Sequence, residues 1–155
     1  MDKNGDLIFD SDEALDIHHN AVEMLRRCIG VDVLTTFSGV EHRLEYVGNI
    51  NGREVYNDSK STNTESTIIA LNSFDKDIIL LMGGLDRGHS FEELKDSMKN
   101  TKLVITYGET KNRIKEFCDK INVKCIVCDD LVTATELAYN NSKIGDVILL
   151  SPACA

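Results

Sequence analysis

Tryptophan is absent and proline occurs once, at Pro152, among 155 residues. With no Pro-, Gly- or Ser-rich linker and no internal repeat, the chain offers no obvious hinge between domains. No apolar run approaches the roughly 20 residues that cross a bilayer as a helix. The opening MDKNGDLIFDSDEALD is acidic, where a signal peptide would be basic and then apolar. These absences lead us to expect a cytoplasmic protein with no membrane partner. Positive charge is also scarce, with 17 Lys and Arg against 26 Asp and Glu, a formal net charge of −9. Such a balance repels a phosphate backbone and excludes nucleic acid as the main partner. An anionic ligand would need a local cluster of donors.

The five cysteines, Cys28, Cys118, Cys125, Cys128 and Cys154, are odd in number and sit largely in apolar stretches. They read as reduced core thiols and not as a disulfide framework. Cys125 and Cys128 make one CxxC, but it lies in the strand-like run VKCIVCD. No second Cys/His pair at zinc-finger spacing follows, so no metal site is assigned. The phosphate-cradling pattern GxxxxGK[ST] is missing altogether.

What is present, from about Glu41 onward, is an alternation of short β-rich runs with segments of helical period. Strands are expected at Arg43–Asn49 and Glu54–Asn57 around the turn Asn51–Gly52, then at Asp77–Met82, Leu103–Tyr107, Lys124–Cys128 and Asp146–Leu150. The runs IILLM and VILLS are apolar on both faces, as central strands of a covered parallel sheet must be. Capping-box patterns place helix starts at Thr62 with Glu65 and at Ser90 with Glu93. Phe91, Leu94 and Met98 form one buried stripe; Ile114, Phe117, Cys118 and Ile121 form a second; Leu131, Ala134, Leu137 and Ala138 form a third. The expected fold is α/β, a Rossmann-like, mostly parallel sheet with crossover helices over residues 41–155. Residues 1–40 read as an appendage with a polar lead-in and a short helix through Ala21, Leu25 and Cys28, stopped at Gly30. The chain should therefore fold as one domain plus an N-terminal appendage.

Right-handed crossovers collect the loops that leave the strands at one sheet edge, where open α/β sheets bind ligands. That edge carries DSKST, GGLDRG, YGET, CDD and SPACA, and four segments of the chain, one of them at the junction of appendage and sheet, carry chemistry. The loop Asn57-Asp58-Ser59-Lys60-Ser61-Thr62-Asn63 puts a lysine ahead of a helix N-terminus, an arrangement suited to anions, although its composition alone also fits an ordinary polar connection. Gly83-Gly84-Leu85-Asp86-Arg87-Gly88 allows close backbone approach and offers a planar guanidinium that matches a carboxylate. By itself a glycine pair serves ordinary turns equally well. His42-Arg43 follows Gly39-Val40-Glu41, where a surface role is the plain alternative, and Leu150-Ser151-Pro152-Ala153-Cys154-Ala155 closes the last strand. A chain that stops there reads as cut short.

Taken in order, these four segments resemble the C-terminal domain of the Mur ligases, in particular the branch that adds D-glutamate. GVEHRLE is similar to the family's inter-domain entry, NDSKSTN to its NDSKATN signature, GGLDRG to its glycine loop and LSPACA to its closing motif. His19-Asn20 is similar to the family's His-Asn ahead of the last central-domain helix, so residues 1–40 would be a remnant of the central domain's end. The resemblance implies ATP-dependent, ADP-forming ligation in which ATP phosphorylates the carboxylate of UDP-N-acetylmuramoyl-L-alanine and the amine of D-glutamate attacks the acyl phosphate, with Mg2+ as metal cofactor. It further implies that His42 lies near the metal-phosphate region and that Arg43 and Asp58 contact the nucleotide. Lys60 would act at the phosphate or the incoming carboxylate, and Lys60, Thr62 and Arg87 would hold D-glutamate. The family's central ATPase domain, with its P-loop and magnesium ligands, is missing here and would be a partner. Such a fragment is expected to be inactive alone. A free-standing module that binds a nucleotide or acidic ligand without catalysis is the alternative, as is the matching domain of a sister Mur ligase or a folate polyglutamate ligase.

Overall fold

The computed structural model describes residues 41–155. The expected helix through Ala21, Leu25 and Cys28, the thiol of Cys28 and the His19-Asn20 pair lie outside the described residues. The described residues pack as one compact unit.

The six strands are β1 (Glu45–Ile50), β2 (Arg53–Asn57), β3 (Ile78–Gly84), β4 (Thr101–Gly108), β5 (Cys125–Val127) and β6 (Val147–Leu150). They form one sheet in the order β1-β2-β6-β3-β4-β5, in which β1 runs antiparallel to β2 and every other pair is parallel. The β1–β2 hairpin turns on Asn51 and Gly52, whose φ values of 50° and 83° are the double left-handed geometry a two-residue hairpin favours.

The central strands are apolar throughout because each feeds two cores. In β3 the pleat sends Ile78, Leu80 and Met82 to one face and Ile79 and Leu81 to the other. On the first face lie Ala70 and Leu71 of α1 (Thr64–Asn72), Leu94 and Met98, and Ile114, Phe117 and Cys118 of α2 (Lys111–Lys120). On the second, α3 (Leu131–Asn141) contributes Ala134 and Ala138, whose small side chains let the helix approach closely. This alternation also separates the CxxC thiols. Cys125 packs against the first core and Cys128 belongs to the second, since three residues of extended chain reverse the side-chain direction.

Two helix starts differ from expectation. The N-cap of α1 is Asn63, not Thr62: its side chain accepts the Ser66 N–H at 2.9 Å, and the capping box of Thr62 with Glu65 does not form. Asparagine ranks above threonine as an N-cap, and the choice moves the start by one residue. The Ser90 and Glu93 box is also absent. Glu93 turns instead to accept the Thr64 hydroxyl at 2.9 Å, and Glu92–Asn100 winds as a 3-10 helix rather than an α-helix. At three residues per turn Phe91, Leu94 and Ser97 share a face, and all three are buried together with Met98.

Candidate functional site

The parallel strands β2, β6, β3 and β4 end along one edge, and their loops remain stitched together beyond the sheet. Asp58 N donates to Leu150 O at 2.7 Å, Ser151 N to Leu81 O at 3.1 Å, and Glu109 N to Gly84 O at 3.0 Å. The closing segment 151–155 lies between the two loops of interest. Ala153 N reaches Ser61 O at 2.9 Å on one side, while Gly83 N reaches Pro152 O at 3.0 Å and Leu85 N reaches Ala155 O at 2.9 Å on the other. With β6 between β2 and β3, the loops carrying Lys60 and Arg87 leave the sheet two strand spacings apart, roughly 10 Å.

Glycine is required in this stitching. A Cβ on Gly83 would stand 2.2 Å from Tyr107 O, and one on Gly84 would stand 2.5 Å from Ala155 O. The end of β3 therefore approaches neighbouring backbone on two sides more closely than any side chain permits.

Under the polar loop sits a buried hydrogen-bond network. Asp58 is 1% exposed: Oδ1 accepts the Leu44 N–H at 3.1 Å and Oδ2 accepts the Ser151 hydroxyl at 2.8 Å. Ser151 Oγ also lies 2.9 Å from Thr67 Oγ1. A hydroxyl has one proton, so with Ser151 donating to the carboxylate, the Thr67 hydroxyl is left to share its own proton between Ser151 Oγ and Asn63 O at 3.3 Å. Asp58 and Ser151 are 93 residues apart in the chain. Only the fold brings them together.

The same carboxylate organises the turn that carries His42 and Arg43. His42 and Leu44 have φ values of 65° and 46°, a left-handed geometry that costs a non-glycine residue about 1–2 kcal/mol. Three bonds offset this strain. His42 N donates to Glu45 Oε2 at 2.9 Å, Leu44 N to Asp58, and Lys60 N to His42 O at 3.0 Å. Asn57 Nδ2 lies 2.8 Å from His42 Nδ1, and the amide donates to that nitrogen in the tautomer with its ring proton on Nε2.

Of the six residues singled out from sequence, His42, Arg43, Lys60, Thr62 and Arg87 are exposed and Asp58 is buried. His42, Asp58 and Lys60 belong to one hydrogen-bonded assembly, and Arg43 projects from its strained turn. Thr62 lies between Lys60 and the α1 N-cap, where the first N–H groups of the helix favour anions. Arg87 stands on the neighbouring loop. Among the described residues, neither Lys60 nor Arg87 has a carboxylate within ion-pair distance. The rim therefore offers two cations, a hydroxyl and a helix N-terminus in a strongly acidic chain.

Residues not singled out from the sequence complete the edge. Thr110 accepts the Gly84 N–H at 3.2 Å, and its hydroxyl lies 3.4 Å from Cys154 Sγ. Burial raises the Cys154 thiol above its ordinary range, and that proximity to Thr110 opposes the rise. Arg113 of α2 holds the loop around Asp86. A polar residue opening a helix directly after a strand was the available signal for Thr110; Ser151 lay in the LSPACA segment with no role of its own, and no signal pointed to Thr67 or Arg113.

A mostly parallel α/β domain whose strand-end loops share one carboxyl edge defines the architectural class, and comparison with known proteins gives the family. The chain belongs to the Mur ligase family, matching the model "Mur ligase, glutamate ligase domain" over residues 42–154. It is 50% identical over 123 residues to UDP-N-acetylmuramoylalanine--D-glutamate ligase of Shouchella clausii, covering 79% of this chain and 27% of that protein. It is 49% identical over 124 residues to the ligase of the same name from Bacillus subtilis, covering 79% and 28%. The chain thus spans about a quarter of the length of these relatives. Among solved structures, UDP-N-acetylmuramate-alanine ligase of Thermotoga maritima superposes with a TM-score of 0.59 at 17% identity, over 86% of this chain and 33% of that one. A domain of a putative UDP-N-acetylmuramate:L-alanyl-gamma-D-glutamyl-medo-diaminopimelate ligase from Haemophilus ducreyi gives 0.56 at 21% identity, over 72% and 88%. At these identities the likeness concerns the fold, and it agrees with the α/β architecture expected from sequence. No described helix is long and apolar enough to cross a membrane.

Proposed function

We propose that this chain supplies the amino-acid-binding domain of a cytoplasmic ATP-dependent ligase that joins D-glutamate to UDP-N-acetylmuramoyl-L-alanine, and that it does not catalyse ligation without the rest of such an enzyme. The observation that carries this reading is the stitched rim: one backbone network ties the Lys60–Thr62 loop, the 151–155 segment and the Arg87 loop into a single edge. A dicarboxylate amino acid needs fixed donors at both ends. Lys60, Thr62 and Arg87 are of the right chemistry to hold it, and orientation of its amine supplies much of the rate of acyl transfer.

In this reading His42 and Arg43 face the nucleotide's phosphates, held out by their strained turn. Asp58 acts chiefly by anchoring that turn through Leu44, so any contact between Asp58 and a nucleotide requires the carboxylate to be uncovered. ATP, bound with Mg2+, supplies the phosphoryl group that activates the acceptor carboxylate. The described residues contain no cradle for its β- and γ-phosphates, and that function falls to the remainder of a longer enzyme.

The test is steady-state kinetics of a full-length ligase carrying this domain, with Lys60→Ala or Arg87→Ala. Losing one charge-assisted bond costs about 1.5–3 kcal/mol. KM for D-glutamate therefore rises roughly 10- to 150-fold. Normal ligation at limiting D-glutamate in both variants refutes the assignment.

A further inference from the structure

The loop that presents Arg87 places a carboxylate directly before it, at Asp86. A flexible loop of this sequence would let Asp86 fold onto the Arg87 guanidinium and neutralise it. Several contacts prevent that. Asp86 Oδ1 accepts the Gly88 N–H at 2.8 Å and a bond from Arg113 Nη1. Asp86 N donates to Glu109 Oε2 at 3.2 Å, so the second nearby carboxylate is turned to the backbone. Arg113 is itself fixed: Nη2 donates to His89 O at 2.7 Å, and its guanidinium lies 5.5 Å over the ring of buried Phe91. It arises from the first turn of α2, a regular element, and so brings a counter-charge to the loop from outside it.

We propose that Arg113 is a positioning residue that captures Asp86 and thereby leaves Arg87 open to a carboxylate ligand. This rests on the reading of Arg87 as part of the amino-acid seat. Arg113 touches no ligand in this scheme. It acts on specificity by removing an internal competitor for the same guanidinium.

The experiment measures arginine-selective modification by phenylglyoxal, resolved residue by residue by mass spectrometry, on the 155-residue chain at neutral pH. The reagent attacks uncharged guanidine, so pairing with a carboxylate slows it. In Arg113→Gln, which keeps much of the stem over Phe91 and a donor for His89 O but loses the charge, modification of Arg87 slows roughly two- to five-fold, the range an exposed ion pair allows. In the double variant Asp86→Asn/Arg113→Gln the original rate returns, since asparagine still accepts from Gly88 N but cannot pair with Arg87. An Arg87 rate that is unchanged or faster in Arg113→Gln overturns the proposal. So does a slowing that Asp86→Asn does not relieve, because loss of loop structure alone would not be repaired by removing a carboxylate. A separate arm adds D-glutamate to the unaltered chain. Failure of D-glutamate to protect Arg87 counts against the amino-acid seat, and the two variant rates still decide the role of Arg113.

Discussion

Two buried serines at opposite ends of the domain's sequence should respond in opposite directions when their hydroxyls are removed. Ser61 and Ser151 are both fully buried, and both lie at the rim. Ser151 Oγ donates to Asp58 and lies within hydrogen-bond distance of Thr67, whereas Ser61 Oγ has no hydrogen-bond partner among the described residues. Ser151→Ala deletes a bond to a charged group and leaves a buried carboxylate oxygen unmet, at a cost of about 2–3 kcal/mol. Ser61→Ala deletes a hydroxyl that was desolvated without compensation, so stability is unchanged or rises by up to about 1 kcal/mol. Its backbone bonds, Ser61 N to Asp58 O and Ala153 N to Ser61 O, survive the change. The family signature that this loop resembles carries alanine at that position. Urea denaturation followed by far-ultraviolet circular dichroism suits a chain without tryptophan. With a slope near 2 kcal/mol/M, the two variants should separate by about 1.5 M in midpoint at equal slope. A loss of more than about 1 kcal/mol in Ser61→Ala, or a change within about 0.5 kcal/mol in Ser151→Ala, would refute the hydrogen-bond reasoning.

Two further outcomes are expected. Asn63→Ala removes the side-chain cap of α1 and lowers stability by about 1 kcal/mol, while Thr62→Ala changes it by less than about 0.5 kcal/mol; the reverse order in thermal melts would return the cap to Thr62. Tyr107 is held un-ionised by burial first and then by Cys154 and Cys128, with its pKa pushed up to about 12 from 10.0. Because the folded value is the higher one, its contribution to stability is intact below pH 10 and is lost as pH rises from 10.0 through about 12. Spectrophotometric titration should find one phenol ionising near that upper value, and Tyr107→Phe should lessen the alkaline loss of Tm. A phenol at that position titrating near its ordinary value would contradict this.

The alternation of β-rich and helical runs was enough to locate all six strands, because apolar period and turn chemistry act over short range. The differences at the edges have local causes. Arg43 and Leu44 were expected within the first strand, but β1 begins at Glu45 because the 42–44 turn is bent by bonds to Asp58, Glu45 and Lys60. The stripe of Phe91, Leu94 and Met98 was legible as buried, yet the three-residue step from Phe91 to Leu94 suits a 3-10 helix as well as an α-helix. Glu93 is drawn away by Thr64, a contact no local pattern encodes.

From sequence alone came the fold class, the positions of the strands and the resemblance of four loops to one ligase family, since each is written in adjacent residues. The tertiary structure decided how those loops share an edge, why Asp58 lies beneath the rim and not on it, and which partners fix the turn at Arg43 and the Asp86 carboxylate beside Arg87. Those outcomes depend on Ser151, Thr67, Glu109 and Arg113, which meet their partners only when distant strands and helices pack. A hydrogen bond is set by geometry at about 3 Å, and the order of residues along a chain does not specify that distance until the chain has folded.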